Sequence, residues 1–137
     1  DRPNPAGRVI EGTTLEEGFK SFVGEAFLPI RHGLTLGEVA SWYKDKHQLK
    51  TGLKVVSMQG YDANLGWQEG LPWVNPSPNI PSQKCCFVYP GTVMLEGTHF
   101  SEGRGTTVPL EIVGAPNLNI KAIKLNINTN TPKIFPI

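Results

Sequence analysis

The chain has 137 residues, which is long enough to bury a core and fits one ordinary domain or a part of a larger protein. Charged residues make up 18% of it, and 13 Lys and Arg against 12 Asp and Glu give a net charge of +1, with the basic residues scattered. This balance argues against a polyanion-binding surface, so no nucleic-acid partner is expected. No apolar stretch approaches the ~20 residues of a membrane span, so the sequence predicts no transmembrane helix.

The two cysteines, Cys85 and Cys86, are adjacent in the apolar stretch KCCFVY. Neighbouring cysteines rarely form a disulfide because the ring would be strained, so the sequence predicts two small buried residues. A metal site would need further Cys or His at ligand spacing, and His32, His47 and His99 show no such pattern. We therefore expect no metal and no other cofactor.

The first half of the chain predicts one clear helix among loops and short strands. Residues 1–18 lack periodicity and read as an extended loop, and a short strand is predicted over 27–31. The helix begins after Thr35, which forms a capping-box pattern with Glu38 and precedes an apolar stripe. A β-branched strand is predicted over 53–58. A helix followed by such a strand indicates an α/β layer.

The second half is rich in turns. Residues 64–81 contain four prolines and two tryptophans, and a long loop of this kind is often functional. Ser82 is predicted to cap a helix that Pro90 and Gly91 break. A short apolar segment ending at Leu95 follows.

The last part of the chain changes composition abruptly. Residues 108–116 predict a short strand. Residues 117–137 contain no Asp or Glu, five Asn and five Ile, and their alternation predicts at most a weak strand.

The most polar segment is EGTHFSEGRGTT, residues 96–107. Gly103 and Gly105 allow positive φ, so successive backbone N–H groups can form a nest for an anion, to which Arg104 can add a bidentate pair. The spacing is neither that of a P-loop nor that of a dinucleotide fingerprint. The alternative is a tight turn with a surface Arg, in which Glu96 pairs with Arg104 and holds the loop.

Five motifs occur in the order DRPNP, PIRHGLTLGE, GLPWVNPSPNIP, YPGTVMLEGT and SEGRGTTVPLEIVGAP. Together they resemble the NamZ-type exo-β-N-acetylmuramidases, a bacterial family long described as a domain of unknown function. The resemblance covers about residues 1–116. It implies that 1–108 are the later half of a Rossmann-like three-layer domain and that 109–137 begin a smaller, loop-rich α/β domain, with an atypical tail from residue 117. It also implies an upstream half of the same protein.

The activity that the resemblance implies is release of a terminal N-acetylmuramic acid from the non-reducing end of cell-wall fragments. The partner would be a muropeptide or other peptidoglycan-derived saccharide, and the location would be extracytoplasmic, either periplasmic or secreted. The alternative is a non-catalytic saccharide-binding or structural fragment that needs the N-terminal half.

Glycoside hydrolysis usually needs a carboxylic acid and a second group that acts as base or nucleophile. Glu96 is predicted as the catalytic residue, because it follows the apolar run TVML and desolvation at the edge of a core would favour its neutral form. Arg104 beside Glu102 favours the ionised form of that carboxylate instead. Trp73 could stack on a sugar ring or belong to the core, and His32 could bind ligand, transfer a proton or be structural. The residues expected to bind substrate are Arg2, Asn4, His32, Asn79, Ser101, Glu102, Arg104 and Thr106.

Overall fold

The structure is a computed structural model that describes residues 1–62, 67 and 71–123. Over these residues the chain forms two α-helices, α1 (Leu36–Lys46) and α2 (Gln83–Thr92), and a 3₁₀-helix (Val93–Gly97) that follows α2 directly. Residues 120–123 are also helical. None of the helices within these ranges is both long and apolar enough to cross a membrane.

Helix α1 and its predicted cap are confirmed. Thr35 Oγ1 accepts from the backbone N–H of Glu38 at 3.2 Å, and Glu38 Oε2 accepts from the backbone N–H of Thr35 at 2.8 Å. The carboxylate of Asp1 adds a second cap, since its Oδ2 accepts from Thr35 Oγ1 at 2.7 Å and its Oδ1 accepts from the N–H of Gly37 at 2.9 Å. A helix leaves its first N–H groups unpaired, so these bonds attach the first residue of the chain to α1.

Helix α2 begins where the sequence predicts and ends later. Ser82 is its N-cap residue, although the Ser82 side chain makes no capping hydrogen bond. The predicted break at Pro90 and Gly91 is wrong, because α2 continues through both residues to Thr92. A proline removes one backbone donor, and the N–H of Val93 still bonds to the carbonyl of Tyr89, so one lost bond does not end the helix.

The three predicted strands are wrong as regular elements. Within the described residues, pairing occurs as isolated antiparallel bridges, which join Glu11 to Arg31, Ser21 to Gly24 and Ser101 to Gly114. Residues 27–31 contain Pro29, which has no N–H to continue a ladder. In 108–116, Leu110 has φ +67° after Pro109, and neither feature suits a strand.

Residues 53–58 are neither helical nor paired in a sheet. Among the described residues, the backbone hydrogen bond of this segment to another part of the chain is made by the carbonyl of Val56, which accepts from the amino group of Asp1 at 2.8 Å. The β-branched pattern is present, but a strand needs a neighbour to pair with, and the described part of the chain supplies none at this place.

The core of the described residues is small. The buried apolar residues are Ala6, Cys85 and Leu110 together with two prolines, Pro3 and Pro109. Cys85 Sγ lies 3.4 Å from the carbonyl oxygen of Pro109. Both cysteines are free. Cys85 is buried as predicted, whereas the prediction is wrong for Cys86, which is half-buried. Residues 120–123 are helical, so the weak strand predicted for the end of the chain is wrong at these four positions. The predictions for residues 64–66, 68–70 and 124–137 lie outside the described residues.

Candidate functional site

Glu96, Glu102 and Arg104 form one cluster in the polar segment. Arg104 Nε lies 2.5 Å from Glu102 Oε1, and Arg104 Nη2 contacts Glu96 Oε1. The two carboxylates differ in access, because 10% of the Glu102 side chain is exposed and 43% of the Glu96 side chain. The expected burial of Glu96 is therefore absent, and its carboxylate is paired with the guanidinium of Arg104. The pairing that the sequence left open as the alternative is the one that the geometry shows.

The backbone of this segment is a tight turn. Gly103 and Gly105 both have positive φ, +80° and +82°. Ser101 Oγ accepts from the N–H of Gly103 at 3.3 Å, and Thr106 donates both its N–H and its hydroxyl to the carbonyl of Gly103, at 3.1 and 2.6 Å. Ser101 is also held by its bridge to Gly114. The polar atoms of Ser101 and Thr106 thus fix the turn that presents Arg104 to both carboxylates.

Asn4 and His32 lie together near the beginning of α1. Asn4 Nδ2 donates to the carbonyl of Leu34 at 2.9 Å, and Asn4 Oδ1 accepts from the N–H of Ala6 at the same distance. The Nδ1 atom of His32 accepts from the N–H of Leu34 at 3.1 Å. Burial lowers the pKa of His32, so the neutral imidazole, with its proton on Nε2, is the favoured form. His32 lines both a cavity of about 240 Å³ and a larger one of about 790 Å³, which leaves it accessible to a ligand.

Arg31, the neighbour of His32, has a structural role that the sequence did not predict. Its Nη1 pairs with Glu11 Oε2 and its Nη2 donates to the carbonyl of Ala6, each at 2.6 Å. The guanidinium also lies 5.6 Å from the ring centre of Phe87 on α2. Arg31 therefore connects the first loop to α2. A signal was present in the sequence, since an Arg within an apolar run needs partners.

A third cavity, of about 710 Å³, was only partly foreseen. Its lining includes Arg2, Tyr61, Trp67 and Trp73, and we call it the aromatic cleft. Trp67 and Trp73 pack edge to face with their ring centres 5.2 Å apart. The expectation that Trp73 is available to a ligand is compatible with this position. Trp67 and Tyr61 had no motif that marked them.

Asn79 is half-buried in the loop before α2, and its backbone N–H contacts Ser77 Oγ at 3.4 Å. It is not among the residues that line the described cavities. Within 1–62, 67 and 71–123, no group of three or more His, Cys, Asp or Glu side chains could hold a metal ion. The substrate contacts expected for the eight residues named above stay predictions.

Solved structures define the class of protein first. The chain is similar to two DUF1343 family proteins from Bacteroides fragilis NCTC 9343. One has a TM-score of 0.76 and 37% identity, with 85% of this chain and 33% of that chain covered. The other has a TM-score of 0.82 and 35% identity, with 94% of this chain and 35% of that chain covered.

Family models then identify the family. Residues 1–84 match the family described as exo-beta-N-acetylmuramidase NamZ, N-terminal, and residues 87–134 match its C-terminal counterpart. The chain belongs to the NamZ family of exo-β-N-acetylmuramidases, as its motifs predict. The two matches adjoin between residues 84 and 87, whereas the sequence places the division after residue 108, and that boundary stays a prediction.

A curated relative agrees with this assignment. The chain is 43% identical over 131 residues to a protein of Bacillus subtilis (strain 168) named peptidoglycan beta-N-acetylmuramidase NamZ. The match covers 94% of this chain and 32% of the relative. The chain thus spans about a third of the length of the relatives that it matches.

Proposed function

We propose that this chain is part of a glycosidase that releases terminal N-acetylmuramic acid from the non-reducing end of peptidoglycan fragments. The observation that carries the proposal is the succession of the two family matches, which together take up nearly the whole chain. The name of the Bacillus subtilis relative supports the same substrate class. Since the substrate belongs to the cell wall, we also propose an extracytoplasmic location.

The cluster of Glu96, Arg104 and Glu102 suits a role in this chemistry. Glu102 is buried and fixes the guanidinium of Arg104, and Arg104 in turn holds the accessible carboxylate of Glu96. An ionised, accessible carboxylate can act as a general base or accept a hydrogen bond from a substrate hydroxyl. We assign this role to Glu96. The general acid of the reaction would come from another part of the protein.

We propose that the chain folds against further polypeptide, as the later half of a Rossmann-like three-layer domain that leads into a smaller α/β domain. Exposed apolar side chains support this arrangement. Phe22 and Val23 have 104% and 94% of their surface accessible. Fully burying one such side chain contributes roughly 1.5–3 kcal/mol, so covering this surface would stabilise the protein. The unpaired segment 53–58 is the part of the chain suited to become a strand of that domain.

A second candidate function is a saccharide-binding or structural role without catalysis. The aromatic cleft favours it, because paired indole rings can bind sugar faces without any reacting group. The two functions differ in one observable, the cleavage of the sugar chain.

The test is a product analysis on the full-length protein. Incubation with a disaccharide of N-acetylmuramic acid linked β-1,4 to a reducing N-acetylglucosamine, followed by mass spectrometry, should show both free monosaccharides. A longer fragment labelled at its reducing end should shorten from the opposite end. Chitobiose, which has the same linkage without the lactyl carboxylate, is the matched control and should be cut far more slowly. A protein that binds these sugars and cleaves none of them has the second function.

A further inference from the structure

The aromatic cleft has the features of a built ligand site. Its volume of about 710 Å³ lies within the 300–1,000 Å³ that is usual for pockets that take small molecules. Prolines at positions 3, 5, 72 and 76 contribute to its lining and restrict the backbone around it. A cleft formed largely by prolines and aromatic rings can be ready for a ligand before the ligand arrives, which lowers the entropic cost of binding.

The two tryptophans supply a surface for a sugar ring. Trp73 Nε1 is directed to the carbonyl of Ile80 at 3.4 Å, and Trp67 Nε1 to the carbonyl of Leu71 at the same distance. Because the polar atom of each indole is occupied by the loop, the apolar parts of the rings are what remains for a ligand. The C–H groups on one face of a hexosamine ring fit such a surface.

Arg2 and Asp1 both line this cleft, but the carboxylate of Asp1 is bonded to Thr35 and Gly37, so the guanidinium of Arg2 is the charged group left for a ligand. The Arg2 side chain is exposed, and its Nη1 donates to the carbonyl oxygen of Asp1 at 3.0 Å. Among the described residues Arg2 takes part in no ion pair, whereas Arg104 is paired with two carboxylates. With both carboxylates ionised, the cluster of Glu96, Glu102 and Arg104 carries one excess negative charge. An anionic ligand is therefore better matched by Arg2 than by Arg104.

The aromatic cleft also shares a lining residue with a neighbouring cavity that contains another candidate residue. Pro5 lines both the aromatic cleft and the cavity of about 240 Å³, and His32 lines that cavity together with the one of about 790 Å³. Met94, two residues before Glu96, lines the largest of the three. A ligand in the aromatic cleft would thus lie next to the cavity that His32 lines.

We propose that the aromatic cleft binds a carboxylated N-acetylhexosamine, with the sugar ring on Trp73 and Trp67 and the carboxylate on Arg2. The identity of this sugar, N-acetylmuramic acid, rests on the proposed function. The inference goes beyond that function because it assigns recognition of the lactyl carboxylate to Arg2 in place of Arg104.

The experiment uses the full-length protein labelled with 5-fluorotryptophan and observed by ¹⁹F NMR, with signals assigned from Trp→Phe variants. N-Acetylmuramic acid is the probe, and N-acetylglucosamine, which lacks the carboxylate, is its control. The signals of Trp67 and Trp73 are expected to shift, while that of Trp42 on α1 stays. The acid is expected to bind about ten- to a hundredfold more tightly than the control, which is the range for one charge-assisted hydrogen bond.

Three variants test the roles separately. Arg2→Gln should abolish the preference for the acid, whereas Arg104→Gln should leave that preference unchanged. Trp73→Ala should weaken the binding of both sugars about tenfold or more, as the loss of an aromatic anchor does. Near-UV circular dichroism checks that each variant is folded. Loss of the preference in Arg104→Gln but not in Arg2→Gln would overturn the assignment. So would sugar binding without any shift at Trp67 or Trp73, or a response of these signals to a polyproline peptide and not to sugars.

The outcome is separable from that of the proposed function. If the protein shows the expected shifts and cleaves no sugar, the cleft assignment stands and the proposed hydrolysis fails. If it releases N-acetylmuramic acid while the Trp67 and Trp73 signals stay unmoved by the sugar, the proposed function stands and the cleft assignment fails.

Discussion

Single residues decide the shape of the loop that carries the charged cluster. Gly103 and Gly105 share a positive φ, but their surroundings differ. A Cβ at Gly103 would lie 2.6 Å from Ile112 Cγ1 and 3.2 Å from the carbonyl oxygen of Val108, whereas a Cβ at Gly105 meets nothing within 4 Å. Gly103 therefore needs both the conformation and the space, and Gly105 needs the conformation alone.

We expect Gly105→Ala to cost about 1–2 kcal/mol of unfolding free energy, the usual penalty for a left-handed backbone with a side chain. Gly103→Ala should cost more, because Ile112 must also move. Urea denaturation of both variants measures the difference. Equal losses would show that the close approach at Gly103 has no energetic weight.

His32 predicts a pH dependence of stability. Its pKa lies below the ordinary 6.5 because burial disfavours the imidazolium. As the pH falls through the unfolded value, the unfolded state takes up a proton before the folded state does, so the unfolding free energy should decrease below about pH 6.5. His32→Asn, which keeps an acceptor for the N–H of Leu34, should lose this part of the dependence.

The control for His32 is His99→Asn, since His99 is exposed. Chemical denaturation of both variants between about pH 5 and 8 gives the comparison. A wild-type slope in His32→Asn would mean that other groups cause the loss of stability.

At the scale of elements, the two α-helices provide a matched pair of N-terminal caps. The side chain of Thr35 accepts the N–H of Glu38, whereas the side chain of Ser82 makes no such bond. Thr35→Ala should therefore destabilise the protein by about 1 kcal/mol or more, within the 0.5–2 kcal/mol found for lost caps. Ser82→Ala should cost only a few tenths of the free energy lost in Thr35→Ala. Thermal unfolding of the two variants side by side distinguishes them, and a larger loss at Ser82 would contradict the described geometry.

The elements also show what local sequence can and cannot determine. The capping box at Thr35 and Glu38 predicted α1 correctly because both of its residues lie within four positions of each other, whereas the second cap from Asp1 was not predicted. The segment 53–58 has the composition of a strand, but whether a strand forms depends on a pairing neighbour, which local composition does not specify. The predicted break at Pro90 was wrong because the other hydrogen bonds of α2 offset the one that proline removes.

The candidate site was predictable to the same extent. The motifs placed Glu96, Glu102 and Arg104 in one polar segment, and the family followed from the order of the motifs. What the sequence left open was the pairing of Arg104 with two carboxylates instead of with a ligand, because ion pairs depend on side-chain distances. Arg2 and Trp73 were predicted as ligand contacts, but their meeting with Trp67 in one cleft was not, since Arg2 and Trp67 are far apart in the chain.

At the scale of the whole molecule, the described residues bury few apolar side chains and leave large ones such as Phe22 exposed. A surface of this kind is stable when it is covered, so the candidate site is expected to be complete only in the full-length protein. In that protein we expect Glu96 to take part in the reaction, with Glu102 and Arg104 holding it in place. Glu96→Gln tests this role because glutamine keeps the shape of the side chain.

The measurement is kcat of Glu96→Gln across the pH range, on a substrate with a terminal N-acetylmuramic acid. We expect a folded protein whose kcat is lower by about 10²–10⁴, the range for a lost general acid or base. The decline of the rate toward low pH should also disappear, because a base works only in its ionised form. Turnover near the wild-type value with an unchanged pH profile would make Glu96 part of the scaffold and rule out its role in the reaction.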